Sequence, residues 1–282
     1  MTVQELLQAA ADLARKAHAE ATPWDARLLL AHAVEAGNPL RLDFGREVPP
    51  EAGARFQALW RQRLTGVPVQ HLLGEWDFYG RPFYVDRRAL VPRPETEVLL
   101  AAALREAPGA RRVLDAGTGS GVLAVTFLLE RPGSRATALD ASPEALALAR
   151  KNASRHGVGA RLELLASDWA SCLARVHFDL ALANPPYLAL SEASSLTTTV
   201  REHDPAGALF AGEDALSQIR RLLTQLPGVL APGAPFLFEI GFGQAEAVEC
   251  EIRSRRDWRL ERIEPDLAGI PRVAVVRRIC DL

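Results

Sequence analysis

The sequence predicts an α/β protein: a parallel sheet with helices on both faces, preceded by a small helical domain and a β-hairpin linker. Three observations predict it. From Arg111 onward, short apolar runs alternate with stretches of helical period, the pattern of a parallel sheet built through crossover helices. Before Gly66 the apolar residues recur at helical spacing instead. A glycine-rich turn separates the first strand of the alternating region from its helix, where such folds form a ligand-binding edge.

Residues 2–65 read as helical, and a domain is assigned to residues 1–68. Leu6, Leu7, Ala10, Leu13, Ala14 and Ala17 form one apolar stripe, with Thr2 as its N-cap. Thr22-Pro23 starts a second helix, and Gly37-Asn38-Pro39 ends it. A third helix runs from Pro50 through Phe56, Leu59, Trp60 and Leu64 to Gly66. No catalytic pattern falls in this domain, which is assigned to substrate recognition. Residues 69–95 form the linker: the aromatic run Trp76–Val85 predicts a hairpin with its turn at Gly80-Arg81-Pro82. Pro92 and Pro94 exclude helix until about Glu95. The third segment, residues 96–282, carries strands at Arg112–Ala116, Ala136–Asp140, Arg161–Leu165, Asp179–Ala183 and Pro235–Ile240. Helices are expected at Gly121–Glu130, Pro143–His156, Asp214–Leu226 and Gln244–Arg255. Trp258–Ile263 and Arg272–Arg278 have no helix between them and predict a closing antiparallel pair.

Composition narrows the function. With 48% apolar residues, 24% charged residues and a net charge of −2 over 282 residues, the chain can bury a sizeable core. The slightly acidic balance argues against a broad phosphate-binding surface, so no stable nucleic-acid partner is expected. Cys172, Cys250 and Cys280 lie far apart, and neither they nor the six histidines show ligand spacing, so no metal is expected. There is no long apolar run and no basic, signal-like N-terminus, which predicts a cytoplasmic protein without a membrane segment.

The chemistry gathers at the strand ends. Val113–Ala116 runs into Gly117-Thr118-Gly119-Ser120-Gly121, where glycines permit a tight turn and close backbone approach to a ligand. Val122 occupies the place of the last glycine in the dinucleotide fingerprint, which counts against a nicotinamide cofactor. Asp140 ends the next strand, where a carboxylate can accept from two ribose hydroxyls. Asp168-Trp169 follows the third, with the indole suited to an adenine face and the carboxylate to its polar edge. Asn184-Pro185-Pro186-Tyr187 follows the fourth. An amide oxygen, a carbonyl held by stiff prolines and an aromatic ring can together take both hydrogens of a planar amino group and support its plane. This device suits group transfer to a poorly nucleophilic planar nitrogen.

These motifs resemble those of class I S-adenosyl-L-methionine-dependent methyltransferases, and most closely the bacterial protein-glutamine N-methyltransferases that modify peptide chain release factors. The resemblance spans nearly the whole chain. It includes Leu73–Gly80, Pro92–Glu97, Gly117–Gly121, Asn184–Tyr187, Glu202–Pro205, Leu209–Asp214, Phe238–Gly241 and Asp266–Gly269. It implies a Rossmann-like class I methyltransferase sheet. It also implies S-adenosyl-L-methionine held by Gly117, Thr118, Gly119, Ser120, Gly121, Asp140, Trp169 and Asn184. Asn184, Pro185, Pro186 and Tyr187 would then hold the glutamine of a Gly-Gly-Gln motif, with Asn184, Pro185 and Tyr187 acting in catalysis. The tetrapeptide taken alone also fits an adenine amino-methyltransferase acting on DNA or RNA, which would flip its target base out of the stack.

Overall fold

The computed structural model describes residues 1–174 and 177–279, which fall into two units. Met1–Trp76, Val85–Arg87 and Ser195–Asp204 form the first, and the remaining described residues form the second. In the first unit, α1 (Val3–Lys16) opens on a reciprocal cap: Thr2 Oγ1 accepts from the Glu5 N–H, and the Glu5 carboxylate accepts from the Thr2 N–H. Thr22 and Asp25 repeat the device at α2 (Pro23–Ala33), which has proline in its first turn. α3 (Pro50–Leu64) and the short α4 (Val69–Leu73) follow, around a core that includes Leu29, Leu30, Phe56 and Trp60. Asp25 and Arg63 meet inside this unit at 2.9 Å, both nearly buried, and Arg63 also donates to the Glu20 carbonyl.

The aromatic run forms the predicted hairpin, β1 (Glu75–Phe78) with β2 (Arg81–Tyr84). Its turn is Tyr79-Gly80, not Gly80-Arg81-Pro82. Both turn residues have positive φ (53° and 69°), the geometry a two-residue hairpin needs to match strand twist, and Arg81 and Pro82 extend into β2. α5 (Pro94–Glu106) starts at the second proline, where the missing N–H costs nothing.

The alternating region then gives β3 (Arg112–Ala116), α6 (Val122–Glu130), β4 (Arg135–Asp140), α7 (Pro143–Arg155), β5 (Leu162–Ala166), β6 (Leu180–Ala183) and β7 (Leu188–Ala189). It continues through α8 (Thr198–His203), α9 (Ala206–Leu209), β8 (Phe210–Gly212), α10 (Ser217–Gln225), β9 (Pro235–Glu239), α11 (Ala245–Arg253), β10 (Trp258–Pro265) and β11 (Pro271–Arg278). β7 pairs with β8. The others build a seven-stranded sheet in the order β10-β11-β9-β6-β3-β4-β5, with β11 antiparallel to both neighbours and the remaining pairs parallel. β6 and β9 are buried along their whole length, as strands covered on both faces must be. α6, apolar except for Thr126 and the terminal Glu130, is buried from Val122 to Leu128.

Register positions the site. Ala116 pairs with Leu139 on one side and Ala183 on the other, and Ala183 pairs with Phe238. One residue further along each strand stand Gly117, Asp140, Asn184 and Glu239, in a row at the carboxyl edge. The chain leaves β3 for β4 and β5 on one side and returns to β6 and β9 on the other. The crevice at such a switch point is where open α/β sheets bind ligands.

Candidate active site

The glycine turn is held from both sides by carboxylates. Asp115, fully buried, accepts from Thr118 Oγ1 at 2.6 Å and from the Ala124 N–H at 3.2 Å. Burial pushes its carboxyl up to about 6, against the two hydrogen bonds that favour the charged form. The N–H groups of Gly117 and Thr118 both donate to the Leu139 carbonyl at 2.8 Å, and Gly119 N–H donates to Asp140 Oδ2 at 2.8 Å. The turn is therefore a rigid scaffold with most of its donors already used. Its glycines give close approach: at Gly117, with φ at 78°, an added Cβ would lie 3.0 Å from the Trp169 ring. Gly121 faces away, and a Cβ there would meet the α7 backbone at Ala149.

Gly117, Thr118, Gly119, Ser120, Asp140, Trp169, Asn184 and Pro186 line one cavity of about 490 Å³, together with Asp168 and the segment Arg88–Arg93. Asp140 Oδ1 also accepts from the Ser142 N–H at 2.9 Å, so the carboxylate fastens the glycine turn to the start of α7. Each oxygen keeps a second lone-pair direction for a ligand hydroxyl. The Trp169 indole is pinned by its Nε1, which donates to Gln218 Oε1 at 2.9 Å. Its φ of 53° is unusual for a bulky residue, and such strain collects at ligand sites. Asp168 is ion-paired with Arg221, which occupies part of the carboxylate expected at the polar edge of a base.

Gly121, Pro185 and Tyr187 do not line this cavity. Pro185 and Pro186 are buried, and the Tyr187 ring packs on Gly241, where a Cβ would lie 3.0 Å from its Cδ2. The Tyr187 carbonyl accepts from Gln244 Nε2 at 2.9 Å, and Gln244 Oε1 accepts from the Gly241 N–H at 2.8 Å. Burial raises the Tyr187 phenol, and the Glu239 carboxylate raises it further.

Sequence reasoning did not single out what stands behind Asn184. Its Nδ2 donates to Thr96 Oγ1 at 3.1 Å, and that hydroxyl donates to Glu239 Oε2 at 2.8 Å. Thr96 and Glu239 are 3% and 2% exposed. Burial raises the Glu239 carboxyl to about 7, opposed by the Thr96 hydroxyl. The signal was present, since an acid ending an otherwise apolar strand needs a partner.

Among the described residues no group of His, Cys, Asp or Glu could hold a metal ion, and no helix is long and apolar enough to cross a membrane. Cys172 and Cys250 are exposed and unbridged, and Cys280 lies outside the described residues.

Two family models match the chain. The PrmC N-terminal domain covers residues 5–74, and the methyltransferase small domain covers residues 95–203. A release factor glutamine methyltransferase from Cereibacter sphaeroides is 43% identical over 98% of this chain and 99% of its own length. One from Deinococcus radiodurans is 39% identical over 99% of both. Among solved structures, a methyltransferase from Pyrococcus furiosus covers 72% of this chain and 91% of its own, at 15% identity and a TM-score of 0.55. The ribosomal protein L11 methylase of Lactobacillus delbrueckii subsp. bulgaricus covers 68% and 82%, at 19% identity and a TM-score of 0.50. These two likenesses show the methyltransferase fold, and the full-length matches show the family: the chain belongs to the release factor glutamine methyltransferases.

Proposed function

We propose that the protein methylates the side-chain amide nitrogen of the glutamine in the Gly-Gly-Gln motif of peptide chain release factors, in the cytoplasm, using S-adenosyl-L-methionine. The observation that carries this reading is the Asn184 amide, set at the rim of a ligand-sized cavity with its nitrogen committed to Thr96 and its oxygen left to accept. The cavity's features suit the cofactor. A glycine cradle is closed by an indole where a Cβ would collide, a carboxylate keeps free lone pairs, and the volume lies in the range of small-molecule sites. Gly117, Gly119, Asp140 and Trp169 would hold its nucleoside and Asn184 its reacting end. Bound there, it supplies a methyl group on a positively charged sulfur.

The chain's own part is orientation and charge. A glutamine amide nitrogen has a delocalised lone pair and is too weak an acid for a side chain to deprotonate near neutrality. Asn184 Oδ1 and the Pro185 carbonyl accept its two hydrogens, fix the nitrogen in line, and place two oxygen dipoles where positive charge grows on it. Tyr187 supports the amide plane. Asp115 and Glu239, the two carboxyls raised by burial here, are occupied by Thr118 and Ala124 and by Thr96. Neither is set as a base, and the spare proton passes to water after transfer. The helical domain at residues 1–68 recognises the release factor. The nucleic-acid alternative is not favoured, because the full-length relatives carry release factor names.

Mass analysis of a release factor incubated with enzyme and cofactor tests the reading. One methyl, a gain of about 14 daltons by stoichiometry, should appear on the Gly-Gly-Gln glutamine. Asn184→Ala should lower kcat by roughly 10²–10³ while leaving KM nearly unchanged, as expected for an acceptor aligned to the transition state. Transfer to an adenine oligonucleotide but not to the release factor would overturn it.

A further inference from the structure

We propose that Thr96 and Glu239 are positioning residues for methyl transfer: they fix the polarity of a hydrogen-bond chain that keeps the Asn184 amide oxygen, rather than its NH₂, turned to the substrate. The inference rests on the reading of Asn184 as the acceptor for the glutamine amide.

An asparagine side chain is nearly symmetric in shape, and its two orientations differ only in which end donates. At Asn184 the difference decides the chemistry. The oxygen meets the hydrogens of a planar amino group, whereas the NH₂ would oppose them donor to donor. The backbone and the two prolines cannot choose between the two, because neither senses the end of the side chain. Thr96 cannot choose alone either, because a hydroxyl both donates and accepts. Its hydrogen could point to Asn184 Oδ1 as readily as elsewhere, which would hold the amide the wrong way round.

Glu239 removes that freedom. A carboxylate is an acceptor without a donor, so the Thr96 hydrogen goes to Glu239 Oε2, and Thr96 Oγ1 has a lone pair left for Asn184 Nδ2. The chain then runs one way: Asn184 N–H to Thr96, Thr96 O–H to Glu239. Both supporting side chains are almost fully buried, so water does not compete for the bonds. The three groups come from three elements, α5, β9 and the turn after β6, and register sets Asn184 and Glu239 level on neighbouring strands.

A buried carboxylate is costly to keep, which gives the relay a reason and a weakness. Three charged groups bear on Glu239: Arg272 from β11 and Arg93 before α5 favour its charged form, whereas Glu95 in α5 disfavours it; the Tyr187 phenol also faces it, and its own pKa is raised by the Glu239 carboxylate. Burial outweighs the two arginines, and the group titrates near neutrality. When protonated, Glu239 can donate to Thr96 and reverse the chain. Polarity therefore requires the ionised form, and the rate of transfer should rise with pH as Glu239 loses its proton.

The test is single-turnover methylation of a release factor, with Thr96→Val, Thr96→Ser and Glu239→Gln compared with the wild-type protein and Asn184→Ala. Thr96→Val should lower kcat about tenfold with little change in KM, the cost of one lost orienting hydrogen bond, and Thr96→Ser should restore most of it. Glu239→Gln can present either end to Thr96 and should be slow at high pH and flat across the range where the wild-type rate rises. Two readouts are independent of turnover. Cofactor affinity by calorimetry should be unchanged in Glu239→Gln, whose side chain does not line the cavity, and NMR should show slow solvent exchange of the Asn184 side-chain NH₂ in the wild-type protein and fast exchange in Thr96→Val. Wild-type kcat in Thr96→Val, or a wild-type pH profile in Glu239→Gln, would overturn the relay while a slow Asn184→Ala left the parent reading intact. A fast Asn184→Ala would remove the parent reading itself.

Discussion

Asp140 holds the glycine turn and is proposed to hold the cofactor ribose, and the two roles can be separated. Its Oδ2 accepts from the Gly119 N–H at 2.8 Å and its Oδ1 from the Ser142 N–H at 2.9 Å, so Asp140→Ala frees both the glycine turn and the start of α7. That loss should show without ligand as about 1–3 kcal/mol of stability in urea unfolding. The proposed second role involves a pair of ribose hydroxyls. Losing one charge-assisted bond to them costs about 1.5–3 kcal/mol, a weakening of roughly 10- to 150-fold in affinity. A loosened turn would also weaken binding, so the fall in affinity does not by itself identify the ribose contact. A double cycle does: wild type and Asp140→Ala are each titrated calorimetrically with S-adenosylmethionine and with an analogue lacking the ribose hydroxyls. If Asp140 meets the ribose, the analogue loses affinity on wild type and almost none further on Asp140→Ala. Penalties that simply add would refute the ribose contact and leave Asp140 as a brace for the turn.

The two ends of the glycine turn should fail differently. Gly117→Ala would press on the Trp169 ring at 3.0 Å and, with φ at 78°, add backbone strain of about 1–2 kcal/mol, so near-ultraviolet circular dichroism and cofactor affinity should change alongside a modest loss of stability. Gly121→Ala would meet Ala149 Cβ at 3.0 Å and its Cα at 3.2 Å with φ at 84°, and should cost about 2–5 kcal/mol in unfolding experiments. In the N-terminal unit, Arg63→Met leaves buried Asp25 without its cation and should destabilise that unit by about 3–5 kcal/mol in urea. Asp115 and Glu239, raised to about 6 and about 7, hold protons in the folded chain that an unfolded carboxyl has already lost, so stability should fall as pH rises from about 5 to about 7. The carboxyls lowered by hydrogen bonds, such as Asp214 and Asp266, act at lower pH, whereas His156, whose pKa burial lowers, opposes the slope within the same range, so the contribution of each carboxyl is read as the difference between wild type and its variant. Urea midpoints across that range, flattened in Asp115→Asn and Glu239→Gln, would check it.

Much of the fold was legible because its signals are local. The long parallel strands are apolar runs, and each helix between them carries its own period, so β3 was placed residue for residue and α6 and α7 to within one. What was missed depends on distance or on sterics. The hairpin turn looked like Gly80-Arg81-Pro82 because proline marks turns, yet Tyr79 adopts the positive φ that the two-residue connection demands. The short α4, α8 and α9 span too few residues for periodicity to register. Residues 195–204 group with the N-terminal unit, where the Glu20 carboxylate accepts from the Thr198 and Thr199 N–H groups, and no local pattern announces a partner 178 residues away. At the site, the glycine turn and Asn184–Tyr187 were legible as contiguous motifs. The acid ending β9 signalled a buried partner, but that the partner is Thr96 was not legible, because the contact spans 143 residues.

The sheet edge explains why one short motif can be so exacting. Four strands end at one level, and each contributes a different function there: a turn with its donors used internally, a carboxylate with spare lone pairs, an amide, and a buried acid. The first two face the cavity and suit any nucleoside cofactor. The last two are linked through Thr96, and in the proposed reading they concern the nitrogen to be methylated. The tetrapeptide Asn184–Tyr187 therefore does not act alone. Its prolines fix where the carbonyl and the ring stand, but the direction of its amide is set from β9 and α5. A planar amino group offers two hydrogens and little else, so recognising it means presenting acceptors and withholding donors. In the proposed reading the Asn184 oxygen does the first, and the hydrogen bond from its Nδ2 into a buried acceptor chain does the second.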